Sequence, residues 1–116
     1  MNNVAVIDIL DDVIIFDNGV KLYSYHGVDC CEQHFLSMSD LIINDFNGLR
    51  FDLTNNKFYN EIIGYGIELI PITGHPVKIP GYGYNNGEYS SSLDLVLEWD
   101  YGFEKSFNIS DCQKIK

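Results

Sequence analysis

From Leu93 to Asp100 the chain alternates in strict period two, with Leu93, Leu95, Leu97 and Trp99 on one parity and Asp94, Val96, Glu98 and Asp100 on the other. Successive side chains of a strand point to opposite faces, so this run predicts a strand over Leu93 to Trp99 with one buried face and one largely wet face. Such a strand needs paired neighbours on both sides to satisfy its backbone, which commits the chain to a sheet.

The neighbours are legible as further short strands. Val4 to Leu10 and Val13 to Phe16 are rich in β-branched residues and are separated by Asp11-Asp12. Asp17-Asn18-Gly19 follows, and Asn-Gly predicts a tight type I′ hairpin turn into a strand from Val20 to His26. Within that strand Val20, Leu22 and Ser24 share one face, and Lys21, Tyr23 and Tyr25 the other, so the tyrosines point outward or line a groove. Gly27 bends the chain, and Gln33 to Met38 is extended again. Ser39 or Asp40 can cap a short helix through Leu41, Ile42, Ile43 and Phe46, with Gly48 as its stop. Leu49 to Leu53 alternates as a strand, whereas Lys57 to Ile63 fits a helix and a strand equally. Ile67 to Ile72 is a strand whose Pro71 belongs at an edge or a bulge, and Thr73 to Pro76 turns the chain into Val77 to Ile79. Pro80 to Ser90 reads as a loop rich in glycine and tyrosine, and Phe103 to Ile109 as the last strand before a closing tail. The predicted fold class is α+β, mostly β: a single twisted, largely antiparallel sheet, open or partly rolled, with one short helix, in one domain spanning residues 1–116.

Charge narrows the partners. Seventeen acidic residues against seven basic ones give a net charge of -10, which opposes direct binding to nucleic acid. The same charge suits a protein with a basic groove, where carboxylates can occupy sites built for phosphates. No run approaches the roughly 20 apolar residues of a membrane helix, and no signal segment is evident, so a cytoplasmic location and no membrane partner are expected. An exposed strand edge would also allow a homodimer.

Chemically capable side chains concentrate between Tyr25 and Phe35, where two imidazoles, two thiols and two carboxylates fall within eleven residues. His26, Cys30 and His34 recur every four residues, a ligand spacing on a helix, but Gly27 and the flanking strand patterns remove that geometry. A Cys30 or Cys31 nucleophile activated by His26 or His34 is the enzymatic alternative. Adjacent Cys30 and Cys31, with Cys112 as the odd third, do not suit a disulfide framework. Gly81-x-Gly83 lacks the lysine of a phosphate loop, leaving Arg50 as the one basic candidate for phosphate. No catalytic residue, metal or cofactor is therefore expected. The candidate binding residues are Tyr23, Tyr25, His26, Asp29 and Glu32 together with Tyr82, Tyr84, Asn85, Asn86 and Tyr89. Flat amphipathic rings supply contact area and stacking faces, and asparagine amides read donors and acceptors, so the two groups can line one pocket.

Tyr25-His26 followed by Asp29-Cys30-Cys31-Glu32, with Asn86-Gly87-Glu88-Tyr89-Ser90 downstream, resembles a small uncharacterised domain family of bacteriophage and bacterial genomes. That family carries a His-x-Gln-Asp-Cys-Cys-Glu block and an Asn-Gly-Tyr-Tyr-Ser block. Val28 stands where it usually has Gln, and Glu88 where it usually has Tyr. The resemblance covers roughly residues 13 to 100 and implies a phage or mobile-element origin. With that origin, the expected function is non-catalytic inhibition of a host defence protein through the acidic surface, as an anti-CRISPR or similar inhibitor would act. The alternatives are a sponge that sequesters a nucleotide signal between tyrosines, and a metal-binding or cysteine-dependent enzyme.

Overall fold

The computed structural model describes residues 3–26, 33–54, 56–84 and 92–115. Among the described residues twelve strands carry the fold: β1 (Asn3–Val4), β2 (Val6–Leu10), β3 (Val13–Phe16), β4 (Lys21–Tyr25), β5 (Gln33–Leu36), β6 (Phe51–Asp52), β7 (Tyr59–Ile62), β8 (Gly66–Leu69), β9 (Val77–Tyr84), β10 (Asp94–Glu98), β11 (Glu104–Asn108) and β12 (Lys114–Ile115). The protein is mostly β, but its strands form several sheets where the sequence predicted one. A five-stranded sheet runs β11-β10-β4-β3-β2, a second five-stranded sheet joins β12, β9, β8 and β7 with β5 added on β9, and β1 pairs β6 as a short ribbon. Among the described residues every pairing is antiparallel except that of β12 with β9.

Both large sheets empty their apolar parity into one contiguous core. The first contributes Ile14, Phe16, Leu22, Leu95 and Leu97, and the second Leu36, Ile67, Leu69 and Ile79, all with at most 1% of their surface exposed. Each such side chain stabilises the fold by about 1.5–3 kcal/mol relative to leaving it in water. The alternation of Leu95 and Leu97 with Asp94 and Glu98 thus does what the sequence predicted. Val96, on the wet parity, is also buried, because it lies in the cross-strand row between Tyr23 and Ser106.

Local departures have identifiable causes. The two-residue hairpin with both central φ positive is Asp11-Asp12 (φ 51° and 63°), which joins Leu10 to its partner Val13. At Asp17-Asn18-Gly19 only Gly19 is left-handed, so that turn is a wider loop closed by Phe16 N–H donating to Val20 O at 2.9 Å. The predicted helix shrinks to one 3-10 turn, Ile43–Phe46, preceded by extended Ile42 with no side-chain cap, so neither Ser39 nor Asp40 nucleates it. The ambiguous stretch divides into a 3-10 turn, Asn56–Phe58, and β7. Pro71 is buried just beyond the end of β8.

The largest difference lies at Pro80 to Tyr84, predicted as loop and found as the last five residues of the eight-residue strand β9. Gly81 and Gly83 face inward and are buried, while Tyr82 and Tyr84 face outward. Pro80 accepts from Ser37 N–H at 2.8 Å but has no N–H to return, and the β5 ladder ends there. Gly81 is small for a reason: a Cβ there would come within 2.5 Å of the Cys112 carbonyl oxygen. The tail from Ile109 can therefore cross close to β9 and place β12 beside it.

Candidate functional site

β4 and β10 pair in a register that sets Lys21 opposite Glu98, Tyr23 opposite Val96 and Tyr25 opposite Asp94. β10 and β11 continue the rows with Glu104 opposite Glu98, Ser106 opposite Val96 and Asn108 opposite Asp94. Directly opposed residues share a face, so these rows form the outer surface of the first sheet. On it Tyr23, Tyr25, Asp94, Val96, Glu104 and Ser106 line a cleft of about 350 Å³. Its lining joins apolar Val96, two tyrosines and the carboxylates of Asp94 and Glu104.

Three carboxylates, Asp94, Glu98 and Glu104, share this face with one ammonium, Lys21. The Tyr23 hydroxyl donates to Glu98 Oε1 at 2.9 Å. Burial, that hydrogen bond and the negative charges of Glu98 and Glu104 push the Tyr23 pKa up to about 12. Tyr23 thus stays a neutral donor at any physiological pH, and Glu98 is oriented by it. Glu98 stands between Lys21 on β4 and Glu104 on β11, and no ion pair among the described residues involves Glu104. The guanidinium of Arg50 donates to Asn3 Oδ1 at 2.7 Å and pairs with Asp17 at 3.7 Å, contacts that tie the β1–β6 ribbon down.

Of the residues predicted from sequence, Tyr23 and Tyr25 come together in this cleft. Tyr82 and Tyr84 do not join them: they lie on the second sheet, where Phe35 packs on Tyr82 with ring centres at 5.9 Å and on Tyr84 at 6.4 Å. The single pocket expected from both groups is thus divided between two sheets. The pairing of β5 with β9 nonetheless brings Gln33 to Leu36 beside the tyrosine run, with Gln33 opposite Tyr84. Asp29, Glu32, Asn85, Asn86 and Tyr89, like Cys30 and Cys31, lie outside the described residues.

His26 turns inward at the end of β4, and its ring meets that of His34 with centroids 4.5 Å apart. His34 and Gln113, both buried, were not among the predicted site residues. His34 Nδ1 lies 2.6 Å from Gln113 Oε1, a contact between residues 79 positions apart that no local pattern could reveal. Asp94, Glu98 and Glu104 were also missed as site residues, although the alternation that placed Asp94 and Glu98 on the wet face was the available signal. Cys112 is buried and donates to Glu61 Oε1 at 3.5 Å. Burial and the Glu61 charge push its thiol up to about 11, so it is not an activated nucleophile. Among the described residues no three His, Cys, Asp or Glu side chains converge as a ligand set, and no helix is long and apolar enough to cross a membrane.

These shifts fix the alkaline behaviour. The unfolded chain releases the Cys112 proton near 9 and the Tyr23 proton near 10, whereas the folded chain holds them to about 11 and about 12. Over that window the native state binds more protons, so stability falls as pH rises from about 9 to about 12. Urea midpoints measured at intervals from pH 8 to 12 should show this fall. Glu98→Gln should flatten its upper part and lower the Tyr23 phenolate midpoint, read by ultraviolet absorbance against Tyr23→Phe.

Fold and site together define a small, mostly β protein of antiparallel sheets that carries an acidic, tyrosine-lined cleft on one outer sheet face. No family model matches the chain, and neither a curated protein nor a solved structure matches it.

Proposed function

We propose that the protein is a non-catalytic binding module that takes a basic segment of a partner protein on the outer face of β4, β10 and β11. The observation that carries this reading is the cleft itself, lined by Tyr23 and Tyr25, whose rings can stack on a cationic side chain, and by Asp94 and Glu104, which with neighbouring Glu98 supply the counter-charge. Glu98 has Lys21 opposite it on β4, whereas Glu104, opposite Glu98 on β11, takes no ion pair among the described residues, so a guanidinium or ammonium beside Glu104 would add attraction that Lys21 does not supply there. The net charge of -10 steers the same class of partner toward this face. The partner we infer is a host protein with a basic nucleic-acid-binding groove, inhibited when carboxylates occupy the places of phosphates. A phage or mobile-element role against host defence belongs to this proposal.

Affinity capture from bacterial lysate tests it, with wild-type protein beside the Asp94→Lys/Glu104→Lys double variant. The expected partner is captured by wild type at low salt, lost in the variant and eluted as ionic strength rises, because the screening length shrinks from about 10 Å at 0.1 M to about 3 Å at 1 M. It should also lose its nucleic acid when the wild-type protein is added. The same proteins on both columns would refute the reading.

A second reading draws on the other sheet, where Lys114 Nζ sits 4.6 Å from the Tyr65 ring centre and 5.3 Å from that of Tyr82, beside the Phe35, Tyr82 and Tyr84 rings. Rings for a base and an ammonium for a phosphate fit a nucleotide sponge. A rise in melting temperature with a cyclic or ADP-ribose-derived nucleotide, abolished by Tyr82→Ala, would favour it.

A further inference from the structure

β11 has two edges, and among the described residues only one of them is hydrogen-bonded. Trp99 N–H donates to Phe103 O at 2.8 Å, and Ile109 N–H donates to Leu93 O at 2.8 Å. Hydrogen-bonded and non-bonded pairs alternate along an antiparallel ladder, so these two bonds fix the parity of every pair between them. Leu97 with Lys105 and Leu95 with Phe107 are the bonded pairs; Glu98 with Glu104, Val96 with Ser106 and Asp94 with Asn108 are the non-bonded ones. The main-chain N–H and C=O groups of Glu104, Ser106 and Asn108 therefore point away from β10, at the open side of the last strand of the sheet. All three residues are exposed.

The intervening residues hold the strand in place. Phe107 packs its ring on Phe58 at 5.8 Å and on Tyr59 at 5.3 Å between centres, and Lys105 Nζ lies 5.9 Å from the Trp99 ring centre. β11 is thus anchored in one register, as a template for a further strand has to be. The same parity ties its open edge to the cleft, because Glu104 and Ser106, whose main chains face that edge, are the β11 residues whose side chains line the cleft. A strand added to β11 would place every second side chain on the cleft face, beside Glu104 or reaching over Ser106 toward Val96.

Charge selects the occupant. The three carboxylates of this face outnumber its one ammonium, so a chain with basic residues at alternate positions meets opposite charge along it. A second copy of this protein would instead bring a further net charge of -10 to the same edge.

We propose that the basic segment of the partner binds as an extended strand added to the open edge of β11, with its main chain on Glu104, Ser106 and Asn108 and its alternate, basic side chains over the cleft. This mode rests on the cleft reading and adds to it a conformation and a sequence pattern, basic residues at every second position. Main-chain bonds supply affinity in strand addition, and alternate side chains supply specificity.

The test uses the intact protein with a short capped peptide of alternating arginine and threonine, followed by amide hydrogen exchange in NMR. On binding, exchange at Glu104, Ser106 and Asn108 should slow by about tenfold or more, while Lys105 and Phe107, already bonded to β10, change little. Methylating the peptide amides that face β11 should abolish binding, and methylating the alternate amides should not. Ser106→Pro removes an N–H that β10 does not use, at a position where an edge strand tolerates proline, and should weaken the peptide by about tenfold. Binding that is lost in the Asp94→Lys/Glu104→Lys variant but leaves the three amides unprotected would overturn strand addition while the cleft reading stands. Protection of the same amides in the free protein as its concentration rises would give the edge to a second copy and overturn the proposal. No binding of the peptide at millimolar concentration and low salt would overturn both. The exchange measurements are made on the wild-type protein, so a variant that fails to fold does not obscure the result.

Discussion

Gly66→Ala is expected to destabilise the protein by about 4 kcal/mol or more, enough to consume much of the 5–15 kcal/mol on which a small domain stands. Gly66 lies at the start of β8, and a Cβ there would collide with the Ile79 carbonyl oxygen and come within 2.7 Å of Gly81 N. Those neighbours are backbone atoms of β9, so relief requires the two strands to separate, not one side chain to rotate. Gly48→Ala is the matched control: its φ of 77° is also left-handed, but a Cβ there meets nothing within 4 Å. It should cost only about 1 kcal/mol, the usual penalty of a left-handed non-glycine residue. Urea titrations of both variants should show a large and a small drop in midpoint. Equal drops would mean that the β8–β9 contact is looser than described.

The second large effect concerns binding and has the opposite sign in stability. Glu104→Lys sets a lysine opposite Glu98 in place of a like charge. The pair becomes attractive, and stability should rise by a few tenths to about 1 kcal/mol. Partner affinity should meanwhile fall by about a hundredfold when Asp94→Lys is added, since reversing charges at a complementary surface costs about 1.4 kcal/mol for each tenfold lost. A variant that melts higher and binds worse cannot be explained by misfolding. If stability and affinity moved together, the cleft would be a structural feature and the binding face would have to be sought on the second sheet.

The strands were readable where one face is buried and the other wet, as in β4 and β10, because period two is a local signal. How strands are shared among sheets was not, since β5 and β12 choose β9 through contacts tens of residues away. The Gly81-Tyr82-Gly83-Tyr84 run looks like loop composition because glycine usually marks a turn; here it is inward-facing strand, its missing side chains making room for the Cys112 backbone. Asp11-Asp12 forms the primed turn that Asn-Gly was expected to make, since aspartate also tolerates the left-handed region. In the cleft the tyrosines were legible and the carboxylates were passed over as solvent-facing. His34 gave a spacing that pointed to a ligand, yet its partner Gln113 has no signature in sequence.

The parallel pairing of β12 with Tyr82 and Gly83 imposes an order on synthesis. Its strand leaves the ribosome after every other strand of that sheet, and until it arrives that flank of β9 offers unpaired backbone groups to any passing chain. Parallel pairings between distant segments close slowly, because the loop must be ordered before the contacts reward it. The nascent protein should therefore be most prone to aggregation in the interval between β11 and β12, and a chaperone that shields β9 during that interval should raise the yield more than one acting earlier.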